Sequence, residues 1–282
     1  MCEGVTRLGF DRISRIQRRM AEERAAASST FSRNTSVSGN TVLLVGNSLI
    51  LEGVDPDQFH SGLLPVGYGL RYVVEQSDYY DWYYGLKRLF REGVRPRYVA
   101  IGLAPFQLNS ENIRGDYSAY YLFSADDIMR YARDSRLGLT TTSGLLLAHF
   151  SRSYAVRTEM RVFLLTRFFP TYVAMLHAVT TQPAQRVSDE SIEAASVKKL
   201  SALADLCSTY DVKPILVVPP TGYGGEAAVT SASRSSGVPV VIPVPRDEFG
   251  SEYFQSDHFH LNEKGRSIFT ARLVEKLRTQ LN

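Results

Sequence analysis

The sequence feature that most restricts the fold is an alternation, beginning at Thr41, between short apolar runs and longer amphipathic segments. Five runs are rich in β-branched and aliphatic residues and are bounded by glycine, proline or polar residues, so they are predicted to be strands. They cover residues 41–46, a run within 68–75, and the runs "RYVAIGL", "VKPILVVPP" and "VPVVIPV". Strands separated by helical segments predict an α/β protein with a parallel sheet and helices on both faces.

Three segments between and after these strands are predicted to be helices. Residues 78–91, "DYYDWYYGLKRLFR", are amphipathic and are followed by Gly93, and residues 191–210 place apolar side chains roughly on one face. Asn262 is predicted to cap a final helix over residues 263–281. The side chains of that helix expected to face inward are Ile268, Phe269, Leu273, Val274 and Leu277.

Residues 110–185 interrupt the alternation, because they contain several helical runs and no convincing strand. The segment is too long for one crossover, so we interpret it as a helical insertion that caps the carboxyl edge of the sheet. Arginines alternate with apolar residues in part of it, at Arg152, Arg157, Arg161 and Arg167. Two interpretations stay open for them: a solvated helix face, which we favour, and peripheral contact with an anionic membrane.

The first forty residues are set apart by charge, since they hold seven arginines and four acids. Residues 10–27 are predicted to form a basic helix with Ile13, Ile16 and Met20 on one side, and residues 28–40 a polar linker. The favoured interpretation is a loosely held N-terminal arm, and the alternative is a juxtamembrane or partner-binding helix. The predicted division is therefore an arm over residues 1–40 and one domain over residues 41–282.

Composition excludes several classes of protein. A net charge of +3 is too small to indicate nucleic-acid binding. Cys2 and Cys207 are the only cysteines, and no metal-ligand cluster or dinucleotide fingerprint occurs, so neither a metal nor a cofactor is predicted. The charged start does not resemble a signal peptide, and no uncharged run reaches the ~18 residues of a membrane span. The compartment stays open, with the cytoplasm as the default, and so does the oligomeric state.

Candidate chemistry begins at Ser48, directly after the first strand. Ligands of open parallel sheets bind beyond the carboxyl ends of the strands, where this serine is either a helix cap or a nucleophile. A serine nucleophile needs a base that is itself oriented by a third group. Asp257 and His260 are three positions apart in the loop after the fifth strand, at the same edge of the sheet. The predicted topology therefore brings all three side chains together.

Two motifs resemble the SGNH/GDSL hydrolase superfamily. "GNSL" at 46–49 is similar to its nucleophile block, with Asn47 in place of the usual aspartate, and "DHFHLNEKG" at 257–265 is similar to its terminal Asp-x-x-His block. The resemblance covers roughly residues 41–282 without the insertion. It implies a flavodoxin-like three-layer α/β/α sandwich in which Ser48 is the nucleophile, His260 the general base and Asp257 its orienting partner.

The blocks that supply the oxyanion hole in that family are altered here. Gly102 matches the start of the Gly-x-Asn block, but Ala104 occupies the asparagine position, and losing one donor typically costs about 100- to 1000-fold in rate. Gly67 and Gly69 precede the predicted second strand, whereas the family's glycine would fall after it. The candidate donors are Ser48, Gly102, Gln107, Asn109, Gln76, Ser77, Gly67 and Gly69.

This pattern is more similar to the divergent SGNH-like proteins of bacterial envelope and polysaccharide acylation than to plain esterases. The expected function is that of a serine-dependent ester hydrolase or O-acyltransferase acting on a small-molecule or glycan ester. The alternative is a non-catalytic SGNH scaffold with a binding or assembly role. His258 is predicted to be a surface neighbour or a substrate contact, and His60, His149 and His177 to be structural. The glycine-rich run at 219–226 is interpreted as a mobile loop near the site.

Overall fold

The computed structural model describes residues 2–10, 13–32, 39–169 and 187–281. The chain divides into two compact units. Met1–Arg18 and Arg114–Arg186 form one of them, here called the helical unit. Arg19–Ile113 and Val187–Asn282 form the other, the sheet unit. Residues 170–185 of the predicted insertion, with His177, and residues 33–38 of the predicted linker lie outside the described residues.

The sheet unit contains a five-stranded, all-parallel sheet, which confirms the predicted α/β class. Its strand order, β2-β1-β3-β4-β5, is the flavodoxin-like order of doubly wound folds. The strands are β1 (Asn40–Gly46), β2 (Gly67–Val73), β3 (Tyr98–Gly102), β4 (Lys213–Val217) and β5 (Val240–Val241). Only two residues of the predicted fifth run are in a strand, because Pro239 and Pro243 on either side cannot donate to the ladder.

Gly67 and Gly69 lie within β2, not before it as predicted. They pair with Asn40 and Val42 at the amino end of β1. The cause is close packing: a Cβ added at Gly69 would lie 2.5 Å from Leu63. Gly69 therefore lets the helix Pro56–Leu63 pack on the sheet, and a Cβ added at Gly67 would lie 2.7 Å from the Asn40 carbonyl oxygen of β1.

Helices cover both faces of the sheet. Val42 and Leu44 of β1 share a core with helices Pro56–Leu63 and Glu263–Leu281 on one face. The opposite face is covered by the helices Tyr79–Arg91, Asp189–Thr209 and Glu226–Ser236. Asn262 caps the final helix, as predicted, by accepting the Gly265 N–H at 3.1 Å. Of the residues expected to face inward from that helix, Phe269, Leu273, Val274 and Leu277 are buried, whereas Ile268 is exposed.

The basic N-terminal helix, Arg15–Thr30, is held more firmly than predicted. Beyond Arg19 it belongs to the sheet unit, where Met20 and Ala27 are buried. Glu23 accepts the Val73 N–H at 2.8 Å and pairs with Arg71 at 3.0 Å. Its carboxylate therefore satisfies a backbone donor at the outer edge of β2, which a loosely held arm would leave open. Ile13 and Ile16, predicted to share an apolar side with Met20, are exposed.

The helical unit contains no strand among its described residues. Its helices after Arg114 are Asp116–Tyr121, Ala125–Asp134, Leu139–Phe150, Arg152–Ala155 and Arg157–Phe168. Of the four arginines predicted to lie on a solvated face, Arg157, Arg161 and Arg167 are exposed, whereas Arg152 is half-buried and packs over the Tyr120 ring. Within the described ranges, no helix combines the length and apolarity needed to cross a membrane.

Candidate active site

Ser48 is placed at the carboxyl edge of the sheet by a tight junction between β1 and the helix Ser48–Gly53. A Cβ added at Gly46 would lie 2.7 Å from the Gly102 carbonyl oxygen, so only glycine fits this junction. Asn47 is the N-cap: its Oδ1 accepts the Leu49 N–H at 3.0 Å, and its Nδ2 donates to the Ser77 carbonyl at 3.0 Å. The cap is therefore asparagine, and the half-buried Ser48 hydroxyl is left for another role.

The loop between β5 and the final helix holds Asp257 and His260 in a fixed turn. Asp257 Oδ1 accepts the backbone N–H groups of Phe259 at 2.9 Å and of His260 at 3.0 Å. His258, which follows Asp257 in this turn, adopts a left-handed conformation with φ +54°. At the end of the turn, the His260 carbonyl accepts the Gln255 N–H at 2.7 Å. The carboxylate therefore fixes the backbone of the same turn that carries the imidazole.

The structure brings the three predicted side chains into one hydrogen-bonded chain. Asp257 Oδ2 lies 2.6 Å from His260 Nδ1, and His260 Nε2 lies 2.9 Å from Ser48 Oγ. An imidazole that donates Nδ1–H to the carboxylate presents Nε2 as an acceptor for the serine hydroxyl. This is the relation of nucleophile, base and orienting group that general-base activation of a serine requires.

The charge on Asp257 is maintained by this turn. Burial opposes ionisation, but the hydrogen bonds from the His260 side chain and from two backbone N–H groups outweigh it and lower the pKa of Asp257. The group therefore stays a carboxylate to more acidic pH than an ordinary aspartate. It can accept the Nδ1–H and stabilise an imidazolium at neutral pH.

Gly102, one of the predicted oxyanion donors, is explained by packing. It pairs with Gly46 across β1 and β3, and a Cβ added to it would lie 2.2 Å from the Ile50 side chain. Ile50 is fully buried and belongs to the helix that carries Ser48. The close approach of this helix to the sheet accounts for the glycine without an oxyanion role.

Gly102→Ala is accordingly expected to destabilise the protein by about 1–3 kcal/mol, because the added methyl overpacks a buried contact. The cost should fall when Ile50→Ala is introduced first, since that change removes the clashing atoms. Urea denaturation of the two single variants and the double variant measures this coupling. Gly222→Ala is the matched control, because an added Cβ there meets nothing within 4 Å. Equal costs of Gly102→Ala in both backgrounds would contradict the packing explanation.

Gln107 and Asn109, the predicted substitutes for the missing asparagine, use their amide oxygens within the loop after β3 and its neighbours. Gln107 Oε1 accepts the Ala104 N–H at 2.9 Å. Asn109 Oδ1 accepts the Ser191 hydroxyl at 3.0 Å. Both amides therefore fasten the loop after β3 to its neighbours.

The two remaining candidates, Ser77 and Gln76, both lie in the loop after β2 but differ in burial and backbone conformation. Ser77 is fully buried; its hydroxyl donates to the Val74 carbonyl at 2.6 Å and accepts the Trp82 indole N–H at 2.8 Å. Gln76 is exposed and has φ +59°, the conformation that favours glycine, where the resembled motif has its glycine. Gly67 and Gly69 are excluded, because they lie at the opposite end of β2.

Among the backbone N–H groups, Ser48 and Gln76 remain as oxyanion candidates. The Ser48 N–H is in the first turn of its helix and has no acceptor within that helix. The Ser48, His260 and Asp257 side chains are thus held in place, whereas Ala104 occupies the position where the resembled family has its side-chain donor.

An aromatic cluster beside His260 was missed by the sequence analysis. It consists of Phe106, Tyr223 and Phe259 and is called here the aromatic wall. Phe106 lies 5.0 Å from Tyr223 and 6.5 Å from Phe259 between ring centroids, and Phe259 lies 5.0 Å from the His260 ring. Each residue sits in a loop that follows the carboxyl end of a different strand, and this shared position was the available signal.

The other histidines have separate surroundings. His60 Nδ1 lies 3.2 Å from the Gly69 carbonyl and His149 Nδ1 lies 2.9 Å from the Ala119 carbonyl, as expected for structural side chains. His258 is exposed next to the candidate site. Among the described residues, no group of three His, Cys, Asp or Glu side chains is arranged to hold a metal ion.

In comparisons with known proteins, no protein-family model and no curated protein matches the chain. The functional interpretation therefore depends on the geometry of the site and on the sequence motifs.

Proposed function

We propose that this protein is a serine-dependent ester hydrolase or O-acyltransferase of the SGNH type. One observation carries the proposal: Asp257, His260 and Ser48 form a continuous chain with atom separations of 2.6 Å and 2.9 Å. These three side chains come from the junction after β1 and from the loop after β5, and Ser48 and Asp257 are 209 positions apart in the sequence. Helix capping does not explain the contact, because Asn47 is the cap.

The first half of the reaction transfers the acyl group to the enzyme. Ser48 Oγ bonds to the ester carbonyl carbon while its proton passes to His260 Nε2. The carbonyl electron pair collects on oxygen next to the Ser48 and Gln76 N–H groups. This electron pair then re-forms the carbonyl double bond, the bond between the acyl carbon and the alcohol oxygen breaks, and His260 gives its proton to that oxygen. The products are a free alcohol and an acyl ester of Ser48.

The second half repeats these steps with a new nucleophile. Water or a sugar hydroxyl gives its proton to His260 and attacks the acyl carbon, and Ser48 Oγ leaves and recovers the proton. Water yields a carboxylic acid and makes the protein an esterase, whereas a sugar hydroxyl yields a new ester and makes it an O-acyltransferase. Asp257 stays ionised throughout and compensates the positive charge of the imidazolium.

A fluorophosphonate probe tests the proposal directly. We expect one equivalent to react with the wild type and peptide mass spectrometry to locate it on Ser48. Ser48→Ala should not react, and Ser61→Ala is the matched control, because Ser61 is another helical serine whose hydroxyl donates to the Asp57 carbonyl at 2.7 Å. Labelling that survives Ser48→Ala, or a wild type that does not react, would refute the proposal.

One observation favours the second candidate, a non-catalytic scaffold. Ala104 occupies the position where the resembled family has its side-chain donor, and Gln107 Oε1 is turned onto the Ala104 N–H at 2.9 Å. A scaffold would retain the triad geometry but fail to stabilise the tetrahedral intermediate. An unlabelled wild type that also shows no hydrolysis of p-nitrophenyl acetate above the Ser48→Ala background would favour this function.

A further inference from the structure

The aromatic wall stands on the His260 side of the candidate site. Phe259 is the residue before His260, and its ring meets the imidazole edge-on with 5.0 Å between centroids. Tyr223 lies 5.8 Å from Phe259 and is 38% exposed, and Phe106 and Phe259 are half-buried. Part of each ring is therefore accessible to a ligand, while their mutual contacts fix their positions.

Two of the three segments that form the wall are in close contact. Gly225 adopts φ +93°, and a Cβ added there would lie 2.7 Å from Pro105 and 3.0 Å from Ile192. The glycine thus lets the loop after β4 sit directly on the short helix Pro105–Leu108, which carries Phe106. This contact seats Tyr223 against Phe106, so the sequence-based interpretation of a mobile loop does not describe its anchored end.

The proton path decides which part of an ester the wall would contact. In the proposed reaction, His260 Nε2 gives its proton to the departing alcohol oxygen, which must therefore come within about 3 Å of that nitrogen. Substituents on this oxygen extend past the imidazole, where Phe259 already packs against its ring. The acyl substituent has no such requirement to lie near His260.

We propose that the aromatic wall is a binding subsite for the alcohol half of the ester and selects alcohols that carry a ring with an apolar face. This inference rests on the proposed function. An aromatic ring and the C–H face of a sugar share the required chemistry, since both stack on aromatic side chains. Tyr223 adds a phenolic hydroxyl at the exposed end of the wall, where a polar ring substituent would meet it.

A panel of acetate esters with one acyl group tests the subsite. Benzyl acetate and methyl 6-O-acetyl-glucoside represent the two ring types, and ethyl acetate has no ring; all three release unactivated alcohols. We expect the wild type to prefer at least one ring ester over ethyl acetate by about 10-fold or more in kcat/KM. Tyr223→Ala and Phe259→Leu should each reduce that preference about 3- to 10-fold. The ester that is preferred identifies the ring type.

The controls separate failure of the subsite from failure of the proposed function. Tyr210→Ala removes an aromatic ring before β4, at the opposite edge of the sheet, and should leave the preference unchanged. Fluorophosphonate labelling of Ser48 reports on the triad independently of the alcohol. A wild type that labels and hydrolyses ethyl acetate without preferring a ring ester, or variants that keep the full preference, would overturn the subsite alone. A wild type that neither labels nor hydrolyses any ester overturns both inferences.

Discussion

Replacing His260 by alanine is expected to lower kcat for p-nitrophenyl acetate by at least about 10,000-fold. The change removes the only group within hydrogen-bond distance of Ser48 Oγ among the described contacts, the Nε2 atom at 2.9 Å. Without a base, the hydroxyl stays protonated at neutral pH and is a weak nucleophile. Stopped-assay kinetics and the rate of fluorophosphonate labelling should fall together, because both require the same activated oxygen.

The neighbouring histidine provides a matched control. His258→Asn changes an exposed imidazole in the same turn, and asparagine tolerates the left-handed conformation found there. Labelling of the His258→Asn variant should match that of the wild type. Thermal unfolding of His260→Ala should remain close to that of the wild type, since the half-buried ring makes no core contact beyond Phe259 among those described. A His260→Ala enzyme that keeps a tenth of the wild-type kcat would exclude the proposed mechanism.

Asp257→Asn is expected to lower kcat by about 1,000- to 10,000-fold while preserving the fold. The amide oxygen of asparagine can still accept the Phe259 and His260 N–H groups that the carboxylate accepts at 2.9 Å and 3.0 Å. The amide nitrogen then faces His260 Nδ1 as a donor, so Nδ1 must become an acceptor. The proton moves to Nε2, which can no longer take the proton of Ser48.

This substitution also changes the pH dependence of stability. The pKa of Asp257 is lowered in the folded protein, so the carboxylate stabilises the fold above the pKa of the unfolded chain. That contribution is lost as the pH falls through the folded-state pKa, and Asp257→Asn should lack this part of the acid dependence. Urea midpoints at pH 7 and in mild acid measure this contribution to stability, with the exposed Asp247→Asn as the control.

The activity prediction has its own contrary outcome. Equal activity of Asp257→Asn and wild type would show that the carboxylate does not set the tautomer of His260.

The sequence was sufficient to predict the sheet and the relation of the three triad residues. Strand β1 and the final helix have strong local patterns, and the carboxyl edge of a parallel sheet is a topological consequence of βαβ connections. Ser48 and His260 therefore come together once the order of elements is known. The contact does not depend on details of side-chain packing that a sequence pattern cannot express.

The electrophilic half of the site could not be predicted in this way. Whether the Gln107 side chain turns back onto its own loop depends on its bond to the Ala104 N–H, which is set by the loop conformation. Whether Gly102 marks a donor or a contact depends on the position of Ile50, 52 residues earlier in the sequence. The sequence reveals that these residues are unusual, whereas the three-dimensional contacts determine their use.

The aromatic wall could not be predicted from the sequence for a related reason. Phe106, Tyr223 and Phe259 belong to three loops with no common periodicity. Each residue alone resembles an ordinary loop aromatic, and only the ring contacts between them define a surface. The aromatic residues of helix Tyr79–Arg91 are closer together in the sequence, but Tyr79, Trp82 and Tyr84 are buried in the core.

Ser48 lies in a closely packed junction, whereas Phe106 and Tyr223 lie outside it, and this difference has a consequence for engineering. The backbone at Ser48 is held in place by the packing of Gly46 against Ile50 and by the Asn47 cap. Substitutions at these positions would therefore mostly yield inactive proteins. The side chains of Phe106 and Tyr223 come from two other loops and contribute no atom to the proton relay. Combinatorial libraries confined to these two positions should therefore change the substrate preference of the proposed enzyme while most members keep the contacts among Ser48, His260 and Asp257.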